Sequence, residues 1–500
     1  MNWNEWLPLL VVMSSLVPGL VIFTLPEENI RLRTTLNILG AVIKLILVVW
    51  MLWGVYNRVH FETRLALLPD LDLVLRAGPL ALMFVTLSTL LWLVTTVYAI
   101  GYLEHSPHRS RFFGFFSLCV TSTVGVALSG NMITFLLFYE LLTLSTYPLV
   151  VHRGTEEARR AGQTYLVYTI AGGAMLLLGT VWLYSLTGSL EFTPQGFIQA
   201  VVAEHQTALI IIFILLIAGF GVKAALFPLH GWLPRAMVAP APVSALLHAV
   251  AVVKAGAFGI IRVVYDVFGV ESVARLGVAT PLSWLAAFTI IYGSIRALFQ
   301  DDLKRRLAFS TVSQVSYITL GVAIAGPIAS VGGVVHLVHQ GLMKITLFFC
   351  AGNLAETLGI HKISEMNGVG KRMPWTMIAF TIGAFGMIGA PPIAGFVSKW
   401  YLGLGALEAG QGWVVFVLAG SSLLNAAYFL PILHRAWFGK PPDSWPQEHD
   451  FGKNKETAWA LLLPPVFTAG LALAAGLLAL APFSPLEWAR LIANREFYQP

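Results

Sequence analysis

The sequence contains very little charge for its length. Only 11% of its 500 residues are Asp, Glu, Lys or Arg, whereas 57% are apolar. Soluble chains carry roughly 25% charged residues, and large ones divide into domains with polar surfaces. This composition excludes a soluble fold and predicts an integral membrane protein in a lipid bilayer. The formal charge of +6 comes from basic residues scattered over short loops, which argues against nucleic acid as a partner.

Groups that hold cofactors are equally scarce. The two cysteines, Cys119 and Cys350, lie inside apolar runs and are too few for a four-thiolate cluster or a structural zinc. There is no glycine-rich fingerprint after a strand and no plausible pair of haem histidines. We therefore expect no cofactor, no metal, and no redox or hydrolytic site belonging to this chain itself.

Long hydrophobic runs, in contrast, fill the sequence. A helix needs roughly 20 apolar residues to cross a bilayer, and fourteen runs meet this length. They predict an all-α membrane bundle of about fourteen helices, at residues 5–24, 34–55, 78–103, 112–129, 131–151, 164–186, 208–227, 243–262, 281–299, 306–325, 328–355, 374–397, 412–434 and 459–482.

The distribution of basic residues supports this number of spans. With fourteen spans and the N-terminus outside, nineteen Lys and Arg residues fall in cytoplasmic loops and seven on the opposite side. Such an excess is typical of cytoplasmic loops. We expect a multi-pass protein of the cell inner (plasma) membrane with both termini outside.

Five basic residues remain inside the predicted spans, and all are lysines. An ionised side chain at the bilayer centre costs roughly 2.5–3.5 kcal/mol, so these groups must be paired, hydrated or neutral. Arginine does not release its proton in proteins, whereas a desolvated lysine does. This pattern predicts a proton relay drawn from Lys44, Lys223, Lys254, Lys344 and Lys399.

One acid, Glu140, is predicted to be buried in the middle of a span. Because a nearby carboxylate raises a lysine's proton affinity, Glu140 is expected to modulate a lysine on a neighbouring helix. The alternative is a structural ion pair between helices. Lys44 lies in the first half of its span, where it could reach the surface by extending its side chain.

Two spans, the seventh and the twelfth, are interrupted by Gly and Pro beside a lysine. In a bilayer, broken helices occur only inside protein or beside a watery cavity, and matched breaks in two halves indicate a transporter's ion site. These spans are five apart, so two inverted five-helix repeats are possible. The predicted regions are helices 1–3 at 1–111, the first repeat at 112–265, the second at 281–437, and the last helix with an amphipathic tail at 459–500.

Span eleven carries a polar face. His336, His339, Gln340 and Lys344 share one side of the helix, which suggests a hydrated lining that passes protons. The alternative is hydrogen bonding between helices by the histidines; metal binding is disfavoured because no acid or cysteine accompanies them.

Two further histidines are supporting candidates. His248 precedes Lys254 by six residues, so the two occupy different faces of one helix, and His248 could point at Lys223 or Lys254. His230 lies where the chain leaves the broken seventh span, where it could satisfy backbone groups or carry protons.

Several stretches resemble the antiporter-like membrane subunits of respiratory complex I, membrane-bound hydrogenases and Mrp-type cation/proton antiporters. The resemblance covers about residues 75–435 and rests on FPLHGWLPRAMVAPAPVSALLHAVAVVKAG (227–256), QDDLKRRLAFSTVSQVSY (300–317), MKITLFFCAG (343–352) and APPIAGFVSKW (390–400).

The resemblance implies fourteen helices, two inverted repeats and broken helices 7 and 12. It also implies a relay in which Glu140 partners Lys223, Lys254 bridges, and Lys399 is terminal. Many relatives have histidine four residues before the lysine of helix eleven, where this chain has Gln340. The histidine has either shifted to His339, or Gln340 acts through a water.

The chain is most similar to the D-type membrane protein of Mrp antiporters. It has Lys399 where one complex I subunit type has glutamate, and no long lateral helix follows span fourteen. We expect a proton-translocating subunit of a sodium/proton antiporter with other membrane subunits as partners. A subunit of a redox-driven pump is the alternative, and a passive channel or scaffold is the third possibility.

Overall fold

The computed structural model describes residues 3–69, 71–103, 106–449 and 456–498. Over these residues the chain forms twenty α-helices and two β-strands. Two of the basic residues assigned to cytoplasmic loops, Lys453 and Lys455, lie outside the described residues.

The first six helices are long and mostly separated by short loops. Local sequence sets several of their ends: the side chain of Asn131 accepts a hydrogen bond from the Thr134 amide at 2.8 Å, and Thr155 does the same for Ala158 at 3.2 Å. These helices are α1 (Trp3–Phe23), α2 (Ile30–Tyr56), α3 (Pro79–Tyr102), α4 (Arg109–Leu128), α5 (Met132–Val150) and α6 (Glu156–Thr187).

The middle of the chain is more broken. A π-helical segment, Val263–Phe268, continues α10 without a gap. The helices are α7 (Gln206–Lys223), α8 (Trp232–Arg235), α9 (Ala241–Ala249), α10 (Val252–Arg262), α11 (Val270–Arg275) and α12 (Ala279–Leu298).

The last part contains the most buried helix of the molecule, α14, whose membrane-length window is entirely enclosed by other helices. Lipid-facing helices surround it, with exposed apolar side chains such as Phe416 and Leu423. The helices are α13 (Leu303–Ala323), α14 (Pro327–Leu358), α15 (Val369–Arg372), α16 (Pro374–Ile388), α17 (Ala394–Glu408), α18 (Trp413–Phe438), α19 (Trp459–Leu477) and α20 (Pro485–Ile492).

The helix count agrees with a multi-pass membrane protein. Twelve helical stretches of the described chain are long and apolar enough to cross a bilayer, with 241–268 taken as one. The two other predicted spans are α13, which is long but more polar, and the pair α16 and α17, which is divided into short pieces. The exact number of fourteen and the inverted repeats stay predictions.

The fold is mostly helical, as predicted, but it also contains a small sheet that the sequence did not indicate. Strands β1 (Glu62–Leu68) and β2 (Leu71–Arg76) form an antiparallel hairpin between α2 and α3. Thr63 of the hairpin donates to the carbonyl of Glu5, and Arg495 near the other end of the described chain donates to the carbonyl of Val55 at 2.9 Å. Both ends of the described chain therefore meet on one side, which we call the hairpin face, as an even number of crossings requires.

Both predicted helix breaks are present. Helix α7 ends at Lys223, and the chain has no helical turn until Trp232; α16 ends at Ile388 and α17 begins at Ala394. A third interruption was missed: α9 ends at Ala249 and α10 begins at Val252, with no Gly or Pro between them. His248 and Lys254 thus belong to two helical segments, and not to one continuous helix as predicted.

Candidate functional site

Lys223 is the last residue of α7, and its side chain is buried against α5. The ammonium group donates to the carbonyl of Tyr139 and lies 3.4 Å from the centroid of the Tyr139 ring. A ring face attracts a cation, more strongly when water is excluded. The carbonyl of Val222, freed by the helix break, accepts a hydrogen bond from the Trp232 indole at 2.7 Å. The break is thus satisfied by protein, and the lysine is held at its end.

Glu140 follows Tyr139 on α5 and is half-buried, which makes it less buried than predicted. Its carboxylate packs on Gly173 of α6, where a Cβ atom would collide with Oε1. Within the described part of the chain, Oε1 has no hydrogen-bond partner and no ion pair with Lys223 is formed. The charges of Glu140 and Lys223 nevertheless interact across the helix interface. The alternative of a direct structural ion pair is not what the structure contains.

Lys254 lies in the first turn of α10 and is fully buried. Its ammonium group has no hydrogen-bond partner among the residues that the structure describes. A buried polar group without a partner is unusual and demands a reason, such as a functional role or hydration. Lys254 therefore remains the most exceptional of the five lysines.

His248 does not point as expected. Its ring packs on Phe348 of α14 at 4.4 Å between centroids, and its charged neighbours are Lys344 and Lys304 instead of Lys223 or Lys254. His230 lies in an aromatic cluster, 5.0 Å from the ring of Tyr292. In the described chain, neither nitrogen of His248 and not Nδ1 of His230 has a hydrogen-bond partner.

His336 joins three helices at the centre of the second half. Its Nδ1 lies 2.7 Å from Oγ of Ser398 on α17, and its Nε2 lies 3.1 Å from Oε1 of Gln314 on α13. Gln314 in turn donates to the carbonyl of Met387 at 3.5 Å. This histidine therefore makes the interhelical bonds that the alternative interpretation required, and these bonds lead to the residue beside Lys399.

His339 and Gln340 are both buried in α14, and their polar side-chain atoms make no hydrogen bonds to any described residue. Gln340 lies one turn from both His336 and Lys344, so the three share a stripe of the helix. The shifted histidine and the water-assisted glutamine both stay predictions.

Lys344 begins a hydrogen-bonded chain that was not foreseen. It donates to Oγ of Ser310 at 2.7 Å, and the Tyr428 hydroxyl lies 2.8 Å from that oxygen. The same hydroxyl lies 2.7 Å from Oδ1 of Asn425, whose amide donates to the carbonyl of Met387 at 2.9 Å. Sequence analysis missed these residues because Ser, Tyr and Asn are ordinary in membrane helices.

Lys399 lies at the far end of that chain. Its ammonium group donates to the carbonyls of Met387 at 3.0 Å and Ile388 at 2.8 Å, and to Oγ of Ser422 at 2.9 Å. These carbonyls end α16, where the helix dipole favours a cation. Lys223 precedes its break and Lys399 follows its own, so the two lysines are not placed alike within their broken helices.

Lys44 belongs to a separate cluster. It is fully buried, donates to Oγ of Ser15 at 2.6 Å and lies 4.9 Å from the Trp92 ring centroid. The expectation that it could reach the surface was wrong, because α1, α3 and α4 enclose its stem.

Comparison with known proteins places this geometry in a family. Residues 129–425 match the family described as NADH:quinone oxidoreductase/Mrp antiporter, TM, and residues 69–113 match NADH-Ubiquinone oxidoreductase (complex I), chain 5 N-terminus.

The chain belongs to the NADH:quinone oxidoreductase/Mrp antiporter family.

The resemblance noted in the sequence is thereby confirmed. One relative, NADH-quinone oxidoreductase subunit N of Desulforudis audaxviator, is 38% identical over 74% of each chain. Another, the D-type protein of the Na(+)/H(+) antiporter of Bacillus subtilis, is 30% identical over 81% of this chain and 80% of its own.

Solved structures show the same fold. A chain of the Mrp complex from Dietzia sp. DQ12-45-1b superposes with a TM-score of 0.87 at 23% identity, covering 99% of this chain and 98% of that one. A chain of the membrane-bound sulfane sulfur reductase, an archaeal respiratory membrane complex, gives 0.85 at 24% identity, covering 98% and 97%. The protein is thus a multi-pass integral membrane member of this family.

Proposed function

We propose that this protein is the proton-translocating membrane subunit of a multi-subunit Mrp-type sodium/proton antiporter. The similarity to the D-type Na(+)/H(+) antiporter proteins, with 80% of the Bacillus subtilis chain covered, supports this assignment. The partners are other membrane subunits, and the location is the inner (plasma) membrane with both termini outside.

The observation that carries the proposal is the convergence on the carbonyl of Met387. Lys399, Asn425 and Gln314 all donate to this oxygen, which the break after α16 leaves free. Two side-chain routes, one from Lys344 and one from His336, therefore end at the same lysine. A purely structural core would bury apolar residues here, because polar side chains inside a membrane are costly.

The chemistry of these routes suits proton transfer. A lysine can exist neutral or charged, and hydroxyls both donate and accept. In the proposed relay, a proton that arrives at Lys344 moves along Ser310 and Tyr428 toward the Lys399 end. The reorientation of each hydroxyl resets the chain for the next proton.

The first half supplies the input. Glu140 and Lys223 interact through charge without direct contact, so a change in the charge of one alters the proton affinity of the other. Lys254, which lacks a bond to the described residues that would fix its charge, is the proposed bridge. The regions 112–265 and 281–437 are the proposed inverted repeats, each with its own broken helix.

A subunit of a redox-driven complex is the second candidate. It is favoured by one observation, the 38% identity to NADH-quinone oxidoreductase subunit N. Purification of the native complex separates the two: the antiporter predicts only small membrane partners, whereas the redox pump predicts a quinone or hydrogenase module.

The relay is tested with Glu140→Gln, Lys223→Met and Lys399→Met in the native complex, reconstituted in vesicles. Each variant should abolish sodium-dependent proton movement while the complex still assembles. Lys440→Met is the matched control, because Lys440 is an exposed lysine outside the helices. Sodium-coupled proton exchange that survives in all three relay variants contradicts the proposal.

A further inference from the structure

A small charged cavity of about 90 Å³ lies on the hairpin face. It has room for several water molecules. The end of β2, the start of α3, the chain after α6, the π-helical segment after α10 and the C-terminal tail form its walls. Four charged side chains line it: Arg76, Arg262, Asp266 and Glu496.

Glu496 comes from the tail, and the fold makes a place for its carboxylate. Oε2 accepts a hydrogen bond from the amide of Leu80 at 3.3 Å, in the first turn of α3. Gly78, just before α3, leaves the space, since a Cβ atom there would collide with Oε1. The positive end of the helix dipole favours a negative charge at this position.

Other groups act on this carboxylate in opposite directions. Arg262, which pairs with Asp266 at 2.6 Å, attracts a negative charge, whereas Asp266 repels it. Arg76 is already bound to Glu62 at 2.6 Å and to Glu191 at 3.1 Å. Burial is the largest influence and raises the pKa of Glu496 to about 7. Glu496 thus changes its charge near neutral pH although it is bound to protein.

The cavity lies at the end of the helix that carries Lys254. Lys254, Phe258, Arg262 and Asp266 recur every four residues along one side of α10 and its π-helical continuation. Arg262 is about 12 Å from Lys254 along the helix axis, at 1.5 Å per residue. The ring of Phe258 touches the Arg262 guanidinium, 5.1 Å from its centroid. The bridging lysine and the cavity therefore share one helix stripe.

The tail is held firmly in place. The ring of Phe497 stacks on Tyr265 at 3.7 Å, and the Tyr498 hydroxyl lies 2.8 Å from Oγ of Ser330 on α14. Arg495 donates to the carbonyls of Val55 and Tyr56. Contacts on both sides of Glu496 keep its carboxylate in the cavity.

We propose that Glu496 and Asp266 form a proton-exchange site through which the Lys254 end of the relay exchanges protons with water on the hairpin face. This inference rests on the proposed function. Protonated Glu496 releases its proton to water in the cavity and takes the next one from the relay side. The two arginines disfavour a metal cation at this site, so its ligand is the proton.

The test compares Glu496→Gln with Glu487→Gln in the purified complex. Glu487 is the matched control, because it is an acid of the same tail that pairs with Arg490 at 2.5 Å outside the cavity. Infrared difference spectra should show a carboxylic acid band that disappears as the pH rises through about 7. This band should be lost in Glu496→Gln and kept in Glu487→Gln.

Transport provides the second measurement. Wild type and Glu487→Gln should show a bend in the pH profile of proton exchange near the infrared transition, and Glu496→Gln should lose that bend. If Glu496→Gln does not assemble, Gly78→Ala serves instead, because its methyl group displaces the carboxylate. A carboxylate that stays ionised across the neutral range, or a pH profile unchanged by both variants, overturns the proposal.

The two proposals fail in distinguishable ways. The infrared titration of Glu496 needs no transport, so it can succeed when the Lys223 and Lys399 variants still exchange protons. In that case the proposed relay is wrong and the tail site only titrates. If the relay variants are inactive but the Glu496→Gln profile is unchanged, the relay stands and its exit lies elsewhere.

Discussion

Replacing Tyr428 with phenylalanine tests the hydrogen-bonded chain between Lys344 and Lys399. The change removes one oxygen that lies within hydrogen-bond distance of Ser310 and Asn425, and it keeps the ring. A buried hydrogen bond contributes about 0.5–1.5 kcal/mol net, so two contribute about 1–3 kcal/mol. Ser310 keeps Lys344, and Asn425 keeps the Met387 carbonyl. We therefore expect a loss of stability near the lower limit and an assembled complex.

The effect on proton movement should be much larger. A positioned proton-transfer group accelerates transfer by about 10²–10⁴-fold, so proton flux in Tyr428→Phe should fall by at least about 10²-fold. Proteoliposomes with an internal pH-sensitive dye and an imposed sodium gradient measure this flux. Thermal unfolding of the same sample measures stability.

Tyr98→Phe is the matched control for Tyr428→Phe. Tyr98 is also fully buried, and its hydroxyl donates to the carbonyl of Phe349 at 3.0 Å, away from both lysines. The two variants should lose similar stability, and only Tyr428→Phe should lose flux. Equal flux in the two variants would refute the chain as a proton route.

Two other changes test parts outside the relay. Burial acts to raise the pKa of Glu62, but hydrogen bonds from Arg76 and Arg64 outweigh it and lower the pKa below its ordinary 4.5. The contribution of Glu62 to hairpin stability is therefore complete above pH 4.5 and is lost as the pH falls through the lowered pKa, which hydrogen exchange corrected for intrinsic rates can measure. Glu62→Gln should remove this dependence. Lys44→Met should leave proton exchange unchanged and keep or raise the melting temperature, because an apolar side chain of similar size replaces a buried amine. Lost exchange in an assembled Lys44→Met complex would place Lys44 in the relay.

Some of the site could be predicted because a membrane makes particular residues conspicuous. Lysine is costly in a bilayer, so Lys223, Lys254, Lys344 and Lys399 were visible without a structure. Ser310, Tyr428 and Asn425 were not, because such residues are tolerated in many membrane helices. Their importance comes from helices far apart in sequence that bring them within 3 Å of one another.

The directions of buried side chains were less predictable than their positions. The interruption between α9 and α10 separates His248 from Lys254 and turns it toward Phe348. The sequence has no Gly or Pro at this point to signal the interruption. Lys44 was expected to extend to the surface, but the packing of neighbouring helices encloses it.

The sequence by itself determined the membrane class, the family and the two broken helices. These features follow from local properties: apolar length, charge bias, and Gly and Pro that interrupt helical hydrogen bonds. Only the tertiary structure decided that Met387 offers a shared acceptor, that Lys223 and Lys399 lie on opposite sides of their breaks, and that Glu496 enters a charged cavity. Those features depend on contacts between residues distant in the chain, which no local pattern specifies.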